Sequence, residues 1–250
     1  GRADIGYHDY SGVVLVNSKS INPKILAILV VDDKSQNGVI TLKSSGIKTF
    51  DDLDGRKLGS HPTSFTNKVL TTVTSASWIN VPVHMPGRVP ALVSGHIDAI
   101  TSFTTSVVFN LEKAGVGIDE LNIIKLSDHY PMAVSRVITV NADWAEKNPQ
   151  AVKVLREVSR ELLKAFIKNP AESISALEGP IVSTSKKVDI EVRRAKYGID
   201  ELVNTPFVQK NGISNASAVG PRLSEFTTLL VEKLNLPTRH PDNKYFDLGE

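Results

Sequence analysis

The chain has 250 residues, of which 41% are hydrophobic and 22% charged; 29 Lys and Arg against 27 Asp and Glu give a formal net charge of +2. With no basic run or stripe, that balance gives no support to a nucleic-acid surface. The absence of cysteine removes disulfides, thiolate metal sites and thiol nucleophiles, and the longest apolar run, Ile25 to Val31, falls far short of the roughly 18–20 residues a membrane-spanning helix needs.

Strand and helix patterns alternate along the chain, as in α/β proteins. Residues 4–7 read as a short strand and residues 12–16 as a strand or buried segment. The apolar, β-branched stretch 23–31 reads as a strand stopped by Asp32-Asp33-Lys34. An amphipathic turn over 47–55 leads into a strand at 57–59. Residues 64–74 have helical spacing, with Phe65, Val69, Leu70 and Val73 on one side. A strand at 79–83, a helix at 89–93, a strand at 97–100, a helix at 107–113 closed by Gly115 and a strand at 122–126 follow. The run 132–140 is long for one strand, and a long extended segment can cross between two lobes.

Next comes the clearest helix, with Asn141 as its cap, Trp144 packing its first turn and Pro149 restarting the pattern. Val152, Val154, Leu155, Val158, Leu162, Leu163, Phe166 and Ile167 give about four turns of apolar stripe. A further helix runs from Pro170 to Leu177 and stops at Gly179-Pro180. Amphipathic helices are expected over 188–197 and 223–234, and the Pro- and Asp-rich tail, 237–250, is expected to run over the surface.

Gly1-Arg2-Ala3-Asp4-Ile5-Gly6 recurs in outline as Gly95-His96-Ile97-Asp98-Ala99-Ile100. The glycine suits a left-handed helix cap, after which a short buried strand begins near the aspartate. Two copies suggest two similar α/β units, hence two lobes; chance is the competing explanation for so short a match. In open α/β sheets ligands bind beyond the carboxyl ends of strands. That draws attention to Tyr7, His8, Asp9 and Tyr10 after the first copy, and to Thr101, Ser102, Phe103 and Thr104 after the second, which mix hydroxyls with aromatic rings.

The chain resembles the solute-binding proteins of ABC importers that handle nitrate, sulfonates, taurine and thiamine-pyrimidine precursors. The resemblance covers about residues 1–170. It rests on the Gly1 to Gly6 motif, on Gly46-Ile47-Lys48-Thr49-Phe50-Asp51-Asp52-Leu53-Asp54-Gly55-Arg56-Lys57-Leu58-Gly59, on Ala91 to Ala99, and on the helix opening Asn141 to Pro149. It implies a two-lobed α/β fold of the type II periplasmic-binding kind, each lobe a mixed sheet flanked by helices, with the ligand between them. Mapped here, lobe one comprises 1–59 plus 131–250 and lobe two 60–130. It further implies a monomer without cofactor, periplasmic or lipid-anchored outside the cytoplasm, that binds a small molecule and presents it to an ABC permease in the membrane. Relatives carry a strand–helix–strand unit ahead of the first motif, so an N-terminal portion is expected to be missing.

For the ligand, Ser60, Thr63, Ser64, Phe65 and Thr66 are nominated because they follow a strand and open a helix, whose free N–H groups favour an anion; capping by one of the hydroxyls is the plainer role. Tyr7, His8, Thr101, Ser102, Phe103 and Tyr130 complete the set. Arg88 is a candidate to pair with an anion, although an Arg opening a helix is usually just solvated, and His129 and Arg136 lie near the second crossing within reach of the cleft; none of the three enters the set. Catalytic motifs are missing: no nucleophile elbow, no phosphate-cradling loop, no His-Glu-x-x-His, and the six histidines lack metal-ligand spacing. The alternative reading is an enzyme of the same fold acting on a sulfonate or pyrimidine, with His8 or His61 as base.

Overall fold

The computed structural model describes residues 3–61, 64–176, 188–237, 240–241 and 244–249. The chain divides into two compact units, Gly1–Lys34 with Met132–Glu250, and Ser35–Pro131. The first boundary differs from expectation. Residues 35–59, assigned to lobe one, belong with the second unit, because both strands they contain hydrogen-bond into its sheet. No helix among the described residues is long and apolar enough to cross a membrane.

The first unit is built on three strands, β1 (Ile5–Asp9), β2 (Ile25–Val30) and β8 (Arg136–Asn141), in the order β1-β8-β2 with β8 antiparallel to both neighbours. Tyr7 pairs with Ile138 and Asp9 with Arg136. β1 is an edge strand with an exposed face rather than the buried strand expected. Residues 12–16 are not a strand. They lie inside helix α1 (Tyr10–Ser18), whose buried residues Tyr10, Val13, Val14, Asn17 and Ser18 fall at helical spacing. Asp9 caps it by accepting from Ser11 N at 3.0 Å, and burial plus the cap outweigh the strand preference of three valines.

Helices α5 (Ala142–Lys147), α6 (Pro149–Lys168), α7 (Pro170–Ala176), α8 (Val188–Leu202), α9 (Pro206–Asn211) and α10 (Ala216–Lys233) complete the described part of this unit. Asn141 caps α5 by accepting from Trp144 N at 2.9 Å, and Trp144 packs on the cluster of Ile28, Val140 and Val152. The Gly179-Pro180 stop lies outside the described residues. The tail does not simply cross the surface. Tyr245 is fully buried, Phe246 bridges to Ala27 alongside β2, and Asp247 N donates to Ala27 O at 2.8 Å.

The second unit holds five strands: β3 (Asn37–Leu42), β4 (Lys57–Ser60), β5 (Ile79–Pro82), β6 (Ala99–Phe103) and β7 (Leu121–Lys125). They lie in the order β5-β4-β6-β3-β7. β4 runs parallel to β5 and β6, while β3 runs antiparallel to β6 and β7. Helices α2 (Phe65–Leu70), α3 (Met85–Val93) and α4 (Thr104–Lys113) flank it. α2 is shorter than the pattern over 64–74 predicts. Thr71 and Thr72 turn their hydroxyls back onto the carbonyls of Lys68 and Val69 at 2.7 and 2.6 Å, and the β-branched run ends the helix.

The core of this unit contains Val39, Ile47, Phe50, Leu53, Leu58, Leu70, Ala99 and Ile124. At the second Gly-x-x-Asp motif, Gly95 takes a φ of 71° after α3 and Asp98 Oδ2 accepts from Lys57 N at 2.7 Å, pinning the start of β4. The two sheets share neither strand order nor direction. The paired motif therefore does not mark a repeated unit.

Candidate functional site

In the second unit, the carboxyl ends of the parallel strands β5, β4 and β6 and the start of β3 share one edge of the sheet. Ser60 ends β4 and is fully buried. Its Oγ donates to Asn80 Oδ1 at 2.6 Å and accepts from Asn67 Nδ2 at 2.7 Å, and Nδ2 also reaches Asn80 Oδ1 at 3.0 Å. Asn67 Oδ1 is buried without a partner. Thr66 donates to Asn37 Oδ1 at 3.1 Å, and Asn37 pairs in register with Phe103 at the end of β6. Ser102 is buried, whereas Phe103 is 39% exposed. Thr101 is buried with its Oγ1 unpartnered, and its carbonyl accepts from Arg88 Nη1 at 2.7 Å. The His61 and His84 rings, just past β4 and β5, meet edge to face at 5.4 Å.

Five of the nominated residues, Ser60, Thr66, Thr101, Ser102 and Phe103, thus come together on one sheet edge. Ser64 stands at the start of α2 without a side-chain cap bond. With only six residues, α2 offers a weaker dipole than the eleven-residue helix the sequence suggested. Thr63 and the side chain of Phe65 lie outside the described residues. Tyr130 is occupied elsewhere: its hydroxyl lies 2.9 Å from both the carbonyl and the hydroxyl of Thr72, beyond α2.

Tyr7 and His8 belong to the first unit, on β1, and both are exposed. Tyr7 stands beside a set of charges at the same strand end. The Arg136 guanidinium lies 5.7 Å from its ring centroid, and Arg136 Nε donates to Asp32 Oδ2 at 2.6 Å. Loss of water around the hydroxyl pushes the Tyr7 phenol up to about 12, against the pull of Arg136, with the Asp32 charge adding to the rise. Asp9 accepts from Ser135 Oγ at 2.9 Å and from Ser11 Oγ. Asp33 accepts from Arg222 and Thr205, and Arg222 stacks on Phe207 at 4.3 Å.

Sequence reading missed the amides Asn37, Asn67 and Asn80, for which no motif exists, and left Arg88 out of the nominated set. Arg88 is 7% exposed. Its Nε donates to Val83 O at 3.2 Å and its Nη1 to Thr101 O, and burial pulls its pKa below the ordinary value. A cavity of about 610 Å³ in the first unit, lined by Pro23, Leu26, Ala142, Glu146 and Arg156 among others, contains none of the nominated residues.

Chemically, the described residues of this edge offer hydroxyls, amides and the Arg88 cation. Ser60 Oγ bonds to amides, which cannot take its proton as a general base would, and no cluster suited to a metal exists among the described residues.

The two α/β units have the fold of periplasmic binding proteins. Similar solved structures include the periplasmic aliphatic sulphonate binding protein SsuA from Escherichia coli, 14% identical with a TM-score of 0.67 over 98% of this chain and 79% of that one. The alkanesulfonate-binding protein SsuA from Xanthomonas axonopodis pv. citri, bound to MOPS, is 13% identical with a TM-score of 0.66 over 97% and 80%. A protein from Bordetella bronchiseptica RB50 is 20% identical, with a TM-score of 0.61 over 99% and 78%. At these identities the likeness is one of fold. No curated protein matches the chain. The chain belongs to the NMT1/THI5-like family, whose profile matches residues 1–173.

Proposed function

We propose that the chain is the solute receptor of an ABC-type importer, which binds a small organic anion or flat heterocycle and hands it to a membrane permease without altering it. The carrying observation is the polar edge of the second unit, where Ser60, Asn67, Asn80, Arg88 and Thr101 gather at the carboxyl ends of parallel strands. That is where open α/β sheets bind ligands. Family membership and the sulfonate-binding proteins of like fold support the same reading. The receptor works outside the cytoplasm as a monomer, periplasmic or lipid-anchored. Within the second unit, Ser60, Thr66, Thr101, Ser102 and Phe103 are the proposed contacts.

For the alternative, an enzyme with His61 as base, the neighbouring Ser60 hydroxyl offers no support, because its Oγ bonds to the amides of Asn80 and Asn67. Thermal unfolding in the presence of alkanesulfonates, taurine, nitrate, aromatic acids and pyrimidines tests the proposal. At least one compound raises the unfolding midpoint. A midpoint unmoved by the whole panel speaks against a receptor of this ligand class.

A further inference from the structure

We propose that Arg88 reads the oxyanion of the solute, an inference that rests on the receptor reading above. Its guanidinium spans the carboxyl ends of two strands. Nε is held by Val83 O, just beyond β5, and Nη1 by Thr101 O in β6. Val83 N donates to Ser60 O at 2.8 Å, which ties the bridge to the end of β4 between them. The cation therefore lies across the same edge as the Ser60, Asn67 and Asn80 cluster.

Its surroundings are unusual for a buried charge. Arg136, Arg156, Arg194 and Arg222 each pair with a carboxylate, from Asp32, Asp247, Glu191 and Asp33. Arg88 pairs with none among the described residues, although it is 7% exposed. Two neutral carbonyls satisfy two of its five N–H groups. Nη2 donates to no described atom. Burying a charge without a counter-ion is costly, and a protein tolerates that cost where the charge is used. A guanidinium fixed by two carbonyls, with N–H groups left over, is preorganised for the oxygens of a sulfonate or carboxylate. The unpartnered Thr101 Oγ1 adds a hydroxyl on the strand residue that anchors it. Helix α3, nine residues long, starts one turn earlier with no side-chain cap, so its dipole favours the same charge.

The test compares the whole chain with its Arg88→Gln and Arg88→Lys variants by titration calorimetry at constant ionic strength. The oxyanion probes are ethanesulfonate, benzoate and acetate; dimethyl sulfone and uracil are the neutral ones. Wild type prefers an oxyanion, and Arg88→Gln binds it at least tenfold more weakly while unfolding no more easily than wild type, since it discards an unpaired buried charge. A strut between strands would show the opposite: a destabilised Arg88→Gln with affinity intact. Arg88→Lys keeps the charge but cannot reach both carbonyls and the ligand, so it weakens binding as well; unchanged affinity there overturns the proposal even if Arg88→Gln fails to fold. A wild type that binds only uracil or dimethyl sulfone removes the role of Arg88 and leaves the receptor standing. A wild type that binds none of the five removes both.

Discussion

Asp33 receives Arg222 and Thr205 on its two carboxylate oxygens while its backbone carbonyl accepts from Arg222 Nη2 at 2.9 Å. Both members of the ion pair are largely buried. Removing one partner strands the other, so Asp33→Ala is expected to cost about 3 kcal/mol or more, read from urea unfolding. Tyr7 offers a spectroscopic check on the charge set beside it. Its folded pKa lies at about 12, above the ordinary value of about 10. A proton held more tightly in the folded state stabilises it below pH 10 and is released as pH rises toward 12. The phenolate absorbance lost in Tyr7→Phe should therefore be a step near pH 12. A step at pH 10 would mean the hydroxyl is freely solvated. Neither residue announces its partners in sequence, because Asp33 and Arg222 are 189 positions apart. The burial of Arg88 is hidden from sequence for a related reason: helical position says where a side chain starts, and only the fold says what covers it.

Most elements were legible, and the exceptions have physical causes. β3 was missed altogether. Its sequence, Asn37-Gly-Val-Ile-Thr-Leu, is polar at one end and carries a glycine, yet five of its six residues are buried. Gly38 is there because of β7: a Cβ at this position would stand 2.5 Å from the Ile124 carbonyl oxygen. Gly38→Ala should then destabilise by about 1–3 kcal/mol, the usual range for overpacking. α6 shows the converse error. Its apolar stripe is wider than its buried face, with Val154 and Val158 exposed and Leu162 at 65%. Leu162→Lys is thus expected to change unfolding by no more than about 0.5 kcal/mol, and a loss of several would show that this face is packed. The motif that carried the family resemblance proves to be scaffold. Ile47, Phe50 and Leu53 fill the core, Gly55 turns at a φ of 68°, and Asp52 accepts from Lys48 N and Thr49 N at 2.9 Å, which holds its carboxyl below the ordinary range. That is why the motif located the fold and said little about the ligand.

At the scale of the whole molecule, the division into two units followed from family resemblance, while its first boundary did not, since strand pairing and not motif order decides where residues 35–59 belong. The nominated site was legible in part. Hydroxyls after strands pointed to the sheet edge proposed here as the site, whereas the amides and the buried cation beside them emerged only from packing. A receptor gains stability from its solute by mass action, about 2.7 kcal/mol at a hundredfold excess over the dissociation constant, and releases that solute intact. The decisive measurement is titration calorimetry with organic anions and flat heterocycles, followed by nuclear magnetic resonance of the recovered compound. The account predicts one site per chain and a ligand returned unchanged; conversion of the ligand, or heat from none of the panel, would contradict it.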